Sequence, residues 1–192
     1  MTRYGIMNEG RRDLVDSFPR TLIRPLLRKS HLLPQVGEGI RLVRNPHMRE
    51  RVIAEARSWI GTPYHNCADI KGVGVDCGML LVRVFVDLGL VEPFDPRPYT
   101  HDWHMHRDEE RYLNLVLPRA RRVTAPRIGD VMLFRVGRSY SHGGLISRLD
   151  PLTIIHASLP SRVVLEEAVA RNAMMAERAA TALYASVVEG LQ

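Results

Sequence analysis

Apolar residues recur at helical spacing in the first part of the chain and alternate or cluster in short runs in the second. Met48, Val52, Ile53, Ala56, Trp59 and Ile60 fall on one face of a helix that opens at Asn45-Pro46 and ends at Gly61. A second apolar run, Met79 to Leu88, stops at Gly89 and is preceded by Asp76, a residue type that caps helix N-termini. The stretch from Glu92 to Asp102 holds three prolines and reads as an irregular surface loop. Asp108 to Leu117 reads as a short helix halted by Pro118, and 119–128 as a basic connector. From Asp130 the pattern changes. Strands are predicted over 130–134, 140–147, 153–157 and 163–165, with turns at Gly137-Arg138-Ser139 and Asp150-Pro151. An Ala-rich helix is expected from about Ala168 to Ala180, and Leu183 to Val188 is placed as a closing strand.

Helices first and consecutive antiparallel strands after them predict an α+β fold, with N-terminal helices packed on a central antiparallel sheet. The 192 residues suffice for one domain with a real core. Hydrophobic content of 45% and charged content of 25% are those of an ordinary globular protein. No apolar run reaches the length of a membrane span, and the first residues lack the apolar core of a secretory signal. Two cysteines, Cys67 and Cys77, do not make a disulfide framework, and a chain made in a reducing cytosol is expected.

The net charge of +6 is uneven. Residues 1–45 hold nine Lys/Arg against four Asp/Glu, whereas 46–192 hold eighteen against seventeen. The basic character belongs to an N-terminal segment whose helical runs are broken by Pro19, Pro25 and Pro34. The chain is therefore divided into an extension, 1–45, expected to dock on a partner, and a domain, 46–192. No aromatic residues interleave with the basic ones in the manner of a base-stacking surface, so no nucleic-acid partner is expected.

Candidate chemistry centres on Cys77. Placed first in a helix behind Asp76 and a glycine-rich approach, it lies where the helix dipole favours thiolate. A core cysteine would more commonly lie mid-helix. A nucleophilic cysteine needs a base, and the base an orienting group. His142, in Ser141-His142-Gly143-Gly144, and His156, at the end of the next strand, would approach each other if those strands pair about a turn near 149–151. His142 is then the candidate base and His156 its orienter. His101, His104 and His106 have metal-ligand spacing, but a polar rim with Trp103 is the plainer reading, and no metal or cofactor is expected. Asp130 reads as a turn residue, His65 and Cys67 either as cleft lining or as loop packing, and Arg121 and Arg122 as solvent-exposed.

Five segments in order, Gly61-Thr62-Pro63-Tyr64, Asp76-Cys77-Gly78, 128–134, Ser141-His142-Gly143-Gly144-Leu145-Ile146 and Ile155-His156-Ala157, resemble the NlpC-type cysteine peptidases of the papain-like fold. The resemblance covers roughly 46–166. It implies a Cys77-His142-His156 triad, Tyr64 beside the cysteine as a substrate or oxyanion contact, and Asp76 as a receiver of a peptide-stem amine. It implies cleavage of peptidoglycan stem peptides near the D-glutamyl–diaminopimelate bond. Lys71 to Gly78 and Asp102 to Leu113 look most like members carried on phage tails or gene-transfer agents. That resemblance implies manufacture in a bacterial cytoplasm, action in the cell envelope, and tail-protein partners for residues 1–45. One departure is Gly78, where most of the family has serine. Two alternatives stand beside this reading: a structural tail-tip protein that retains the fold, and an amidase or acyltransferase on the same fold.

Overall fold

The computed structural model describes residues 47–100 and 110–190. The N-terminal extension, the Asn45-Pro46 helix start and the group His101, Trp103, His104 and His106 lie outside the described residues, as do Asp108 and Glu109.

Helix α1 spans Met48–Arg57 and buries Val52, Ile53 and Ala56, the face that the apolar spacing selects. A turn carries the chain through Gly61, whose φ of 87° suits a residue without Cβ. A small hairpin follows, β1 (Asp69–Ile70) and β2 (Gly74–Val75), and leads directly into α2 (Cys77–Asp87). This hairpin is absent from the sequence-based reading, because two-residue strands leave no periodicity. Helix α3 covers Arg111–Val116, and Pro118 sits in the 3-10 turn Leu117–Arg119 that ends it.

The remaining elements build the sheet. Strands β3 (Arg121–Val123), β4 (Val131–Val136), β5 (Ser139–Leu149), β6 (Leu152–Ser158), β7 (Val163–Ala168) and β8 (Leu183–Ser186) stand in the order β3-β8-β4-β5-β6-β7, with every pairing antiparallel. Helices beside a six-stranded antiparallel sheet make the fold α+β, as expected.

Three details differ from expectation. The basic connector contains the edge strand β3, and β8 lies inside the sheet between β3 and β4 rather than closing it. Strand β7 runs three residues further than predicted, to Ala168. The Ala-rich segment is not one helix: a 3-10 turn (Val169–Arg171), the short α4 (Ala173–Arg178) and a second 3-10 turn (Ala179–Thr181) replace it. Helix propensity is a weak prior, and here packing overrides it. Val169 and Met175 are buried against Met132, Phe134, Ile146 and Ile154 on one face of the sheet. Leu133, Leu145 and Ile155 face the other way, onto α1 and α2. Both faces are covered, so β4 reads as a continuous apolar run and not as an alternation. The chain ends its described part in α5 (Val187–Gly190).

The N-terminal turn of α1 is tied to the sheet by a buried ion pair. Arg49 donates from Nη1 to Asp130 Oδ1 at 2.6 Å and from Nη2 to Glu189 Oε1 at 3.0 Å. The other oxygen of Asp130 accepts the Arg127 N–H at 2.8 Å, so the turn role expected of Asp130 is observed. Asp130→Ala leaves Arg49 without its principal partner, and a loss of about 3 kcal/mol is expected in urea unfolding. Retention of wild-type stability would show that the pair adds nothing.

Candidate active site

Cys77 is the first residue of α2, and Asp76 caps it. The Asp76 side chain accepts the Met79 N–H on Oδ1 at 2.8 Å, with its backbone extended at φ −105° and ψ 177°. The same carboxylate is a hub. Oδ2 accepts the Cys67 N–H at 2.6 Å, and the Tyr99 hydroxyl lies 2.9 and 2.8 Å from the two oxygens. Asp76 is buried, with three protein donors on a group that offers about four acceptor positions. It holds the approach loop, the α2 start and the 92–100 segment together at one point.

Gly78 borders this arrangement, and a Cβ there would fit at ordinary contact distance. A Cβ built there would meet Tyr99 Oη at 3.4 Å and Asp76 Oδ1 at 3.5 Å. The Tyr99 hydroxyl thus stands beside both Asp76 and Gly78. Tyr112, from α3, donates its hydroxyl to the Cys77 carbonyl at 3.2 Å. Tyr99 and Tyr112 are contacts that sequence reasoning missed. Tyr112 registered only as an apolar helix position, and Tyr99 lies in a loop with no periodicity.

The two histidines meet as expected, by a different register. Strands β5 and β6 pair Leu145 with Ile155 and Ile146 with Ile154. Continuing that register sets His156 opposite Gly144, not opposite His142. A Cβ on Gly144 would lie 3.0 Å from His156 Cβ and 2.9 Å from the Ile155 carbonyl. His142 reaches His156 diagonally, two positions along the strand, a separation that long or aromatic side chains span. His142 Nε2 and His156 Nδ1 are 2.9 Å apart, with the rings edge to face at a centroid distance of 5.0 Å. The difference begins at the turn, which pairs Leu149 with Leu152, and the bulge between Ile146 and Arg148 then moves the register by one residue, which sets both histidines on the same face.

The chain of contacts goes on. His156 Nε2 lies 2.9 Å from Glu167 Oε1, and Asn172 Nδ2 donates to the same oxygen at 3.0 Å. Strand β7 pairs His156 with Leu165, so Glu167 is again a diagonal neighbour on the same face. The apolar run that marked this strand in the sequence ends at Leu165, short of Glu166 and Glu167. Glu167 was therefore missed.

One cavity of about 330 Å³ is lined by Tyr64, Asp76, Cys77, His142 and His156, so the side chains singled out from sequence are brought to one place. Away from the histidines its wall is largely apolar, with Leu81, Val82, Phe85, Val91 and Phe94. Tyr64 is held by its N–H to the Arg162 carbonyl at 2.9 Å. Burial and the neighbouring Cys77 push its phenol well above the ordinary tyrosine range, so it is a neutral donor at physiological pH. His65 and Cys67 do not join the lining residues, whereas Asn66 does. Cys67 adopts φ 58° and lies 3.1 Å from the Tyr99 carbonyl.

The resting electrostatics correct one expectation. The helix start was expected to favour thiolate, yet burial, with the Asp76 carboxylate second, pushes the Cys77 thiol up to about 12. Burial, with His156 adding to it, pulls His142 down to about 3. The dipole contribution of an 11-residue helix is outweighed by desolvation and a negative neighbour. The resting pair is a neutral thiol and a neutral imidazole. The thiol faces the Ser141 carbonyl, 3.9 Å away.

No family model matches the chain, and no curated protein does. Solved structures that are similar to it include the following three. The NlpC/p60 domain of the peptidoglycan hydrolase SagA is 20% identical over 72% of this chain and 97% of that one, with a TM-score of 0.48. The P60 domain of an M. avium subspecies paratuberculosis antigen is 21% identical over 76% and 98%, with a TM-score of 0.48. NlpC1 from Trichomonas vaginalis is 17% identical, and the match covers 63% of this chain and 39% of that one, with a TM-score of 0.45. This chain is similar to NlpC and p60 domains. Its chemistry is read from its own side chains.

Two outcomes are expected from these electrostatics. A thiol raised to about 12 is protonated throughout the neutral range. The alkylation rate of Cys77, followed by peptide mass mapping to separate it from Cys67, should climb continuously with pH. A plateau beginning in acid would instead indicate a preformed thiolate–imidazolium pair. For His142 the folded value, about 3, lies below the ordinary 6.5, so the unfolded chain binds the extra proton between them. Stability should therefore fall as pH drops from 6.5 towards 3, and His142→Asn should flatten that part of the curve in urea titrations at several pH values.

Proposed function

We propose that this chain is an NlpC-type cysteine endopeptidase of bacterial peptidoglycan, acting on stem peptides near the D-glutamyl–diaminopimelate bond. The observation that supports it is a helix-capped cysteine opening on the same cavity as a hydrogen-bonded histidine pair. The Cys77 thiol gives its proton to His142 as sulfur attacks the amide carbonyl. Proton transfer accompanies attack, since the resting groups are neutral. The developing oxyanion lies at the start of α2, where first-turn N–H groups have no intrahelical acceptor, and the Tyr64 hydroxyl is a second donor. His142 then protonates the departing amine, leaving a thioester on Cys77. Water, deprotonated by His142, releases the acid and restores the thiol. The Asp76 charge borders the cavity and is the candidate receiver of a stem amine, although its donors within the protein already occupy most of it.

Carriage on a phage-like tail or gene-transfer agent, with residues 1–45 as the docking segment and the cell envelope as the place of action, is the finer part of this proposal. The likeness of Lys71 to Gly78 and the basic character of 1–45 support it.

A second reading, an amidase or acyltransferase, is favoured by one observation. The cavity beside Cys77 extends along Leu81, Val82, Phe85, Val91 and Phe94, a wall suited to an apolar group. Mass spectrometry of purified peptidoglycan incubated with wild type and with Cys77→Ala separates the two. New stem-peptide fragments from wild type alone are expected, and their masses name the bond. Fragments from both proteins, or from neither while Cys77 still alkylates, would overturn the peptidase reading. An acyl group transferred to an added amine, without free acid, would establish the second.

A further inference from the structure

We infer that Glu167, held by Asn172, is a positioning residue that dictates which nitrogen of His142 serves as the base. The peptidase reading enters only in the choice of His142 for that task. The argument is a count of protons along a fixed chain of contacts. A carboxylate at neutral pH has no hydrogen to give, so across the 2.9 Å contact His156 Nε2 must carry the proton and donate to Glu167 Oε1. A neutral imidazole has one N–H, so His156 Nδ1 is then a bare acceptor. Across the next 2.9 Å contact the donor must be His142 Nε2. His142 Nδ1 is therefore left with its lone pair free, and that is the nitrogen available to the Cys77 thiol. Each ring's tautomer is set by the hydrogen bond made by its other nitrogen.

Asn172 makes the first link rigid. It caps α4, its Oδ1 accepting the Met175 N–H at 3.3 Å, and this turns Nδ2 toward Glu167. The break in the Ala-rich segment thus has a use: it places a cap whose amide clamps the carboxylate. His156 is flanked by His142 from β5 and Glu167 from β7, the neutral Asn172 closes the far end, and Cys77 of α2 lines the same cavity as the two histidines. Glu166 points to the other face of β7 and pairs with Arg57 of α1 at 2.8 Å. The Glu167 charge has a second effect. When His142 takes the thiol proton, both of its nitrogens carry hydrogen, and the contact to His156 survives unchanged. A carboxylate two links away then stabilises the new imidazolium.

The test uses the full chain and needs no substrate. Nitrogen-15 imidazole spectra report each ring's tautomer, and alkylation of Cys77 at neutral pH reports thiolate supply. In wild type both histidines should show protonated Nε2 and pyridine-like Nδ1. In Glu167→Leu, which has no acceptor, both rings should lose that single tautomer, with alkylation slowed about tenfold or more. Glu167→Gln keeps an oxygen and loses the charge, and it serves where the leucine variant does not fold. Slower alkylation with unchanged thermal unfolding is expected of it. Glu166→Gln, one residue away on the opposite face, should match wild type in both readouts. A folded Glu167→Leu with wild-type tautomers and alkylation would overturn the inference, as would a folded Glu167→Gln that alkylates at the wild-type rate, or equal effects from Glu166→Gln. A wild type that shows the expected tautomers but releases no stem peptides would sink the peptidase reading and leave this inference standing.

Discussion

The structure around Cys77 depends on one buried carboxylate. Asp76 receives the Met79 N–H, the Cys67 N–H and the Tyr99 hydroxyl, and so joins the start of α2, the loop before it and the segment after it. Each bond is to a charged acceptor and shielded from water, and such bonds are worth more than neutral ones. The same charge has a chemical consequence. It discourages a second negative charge on the adjacent sulfur, so the residue that fixes Cys77 in place also keeps it protonated at rest. On the proposed reading positioning and activation are separated: Asp76 supplies the first, and the histidine chain the second.

That chain is built from strand register. Its links, His142 to His156 and His156 to Glu167, are diagonal neighbours on one face across adjacent strands. The sheet can bring three such side chains into line because Gly144 lies opposite His156 and leaves its ring room. A methyl group there would meet the Ile155 carbonyl and His156 Cβ at or inside contact distance. The far end is anchored by a short helix whose cap residue has two jobs. Burial depresses both histidines and favours their neutral forms at rest, and on the proposed reading they relay a proton when substrate is bound. Beyond the histidines the cavity wall turns apolar.

Much of this was legible in the residues. The 3.6-residue spacing of Val52, Ile53 and Ala56 gave α1, and the Asp76 cap before an apolar run gave α2 with Cys77 at its head, because caps and periodicity are local physics. The approach of His142 to His156 could be anticipated from a hairpin alone, although its register could not. A one-residue bulge near Arg148 changes every opposition beyond it, and bulges leave no reliable mark in composition. Glu167 was invisible for a related reason: paired glutamates suggest solvent, and only the neighbouring strand shows which of them turns inward. The two-residue strands β1 and β2, the edge strand β3 and the broken Ala-rich segment depend on what packs against them. The sequence by itself determined the α+β class, the helix-capped cysteine and the candidate histidines, all products of short-range pattern. The tertiary structure decided the register, the Tyr99 contact to Asp76, the Glu167 link and the neutral resting state of the pair. Those follow from burial and from contacts between residues far apart in the chain, which no local pattern encodes.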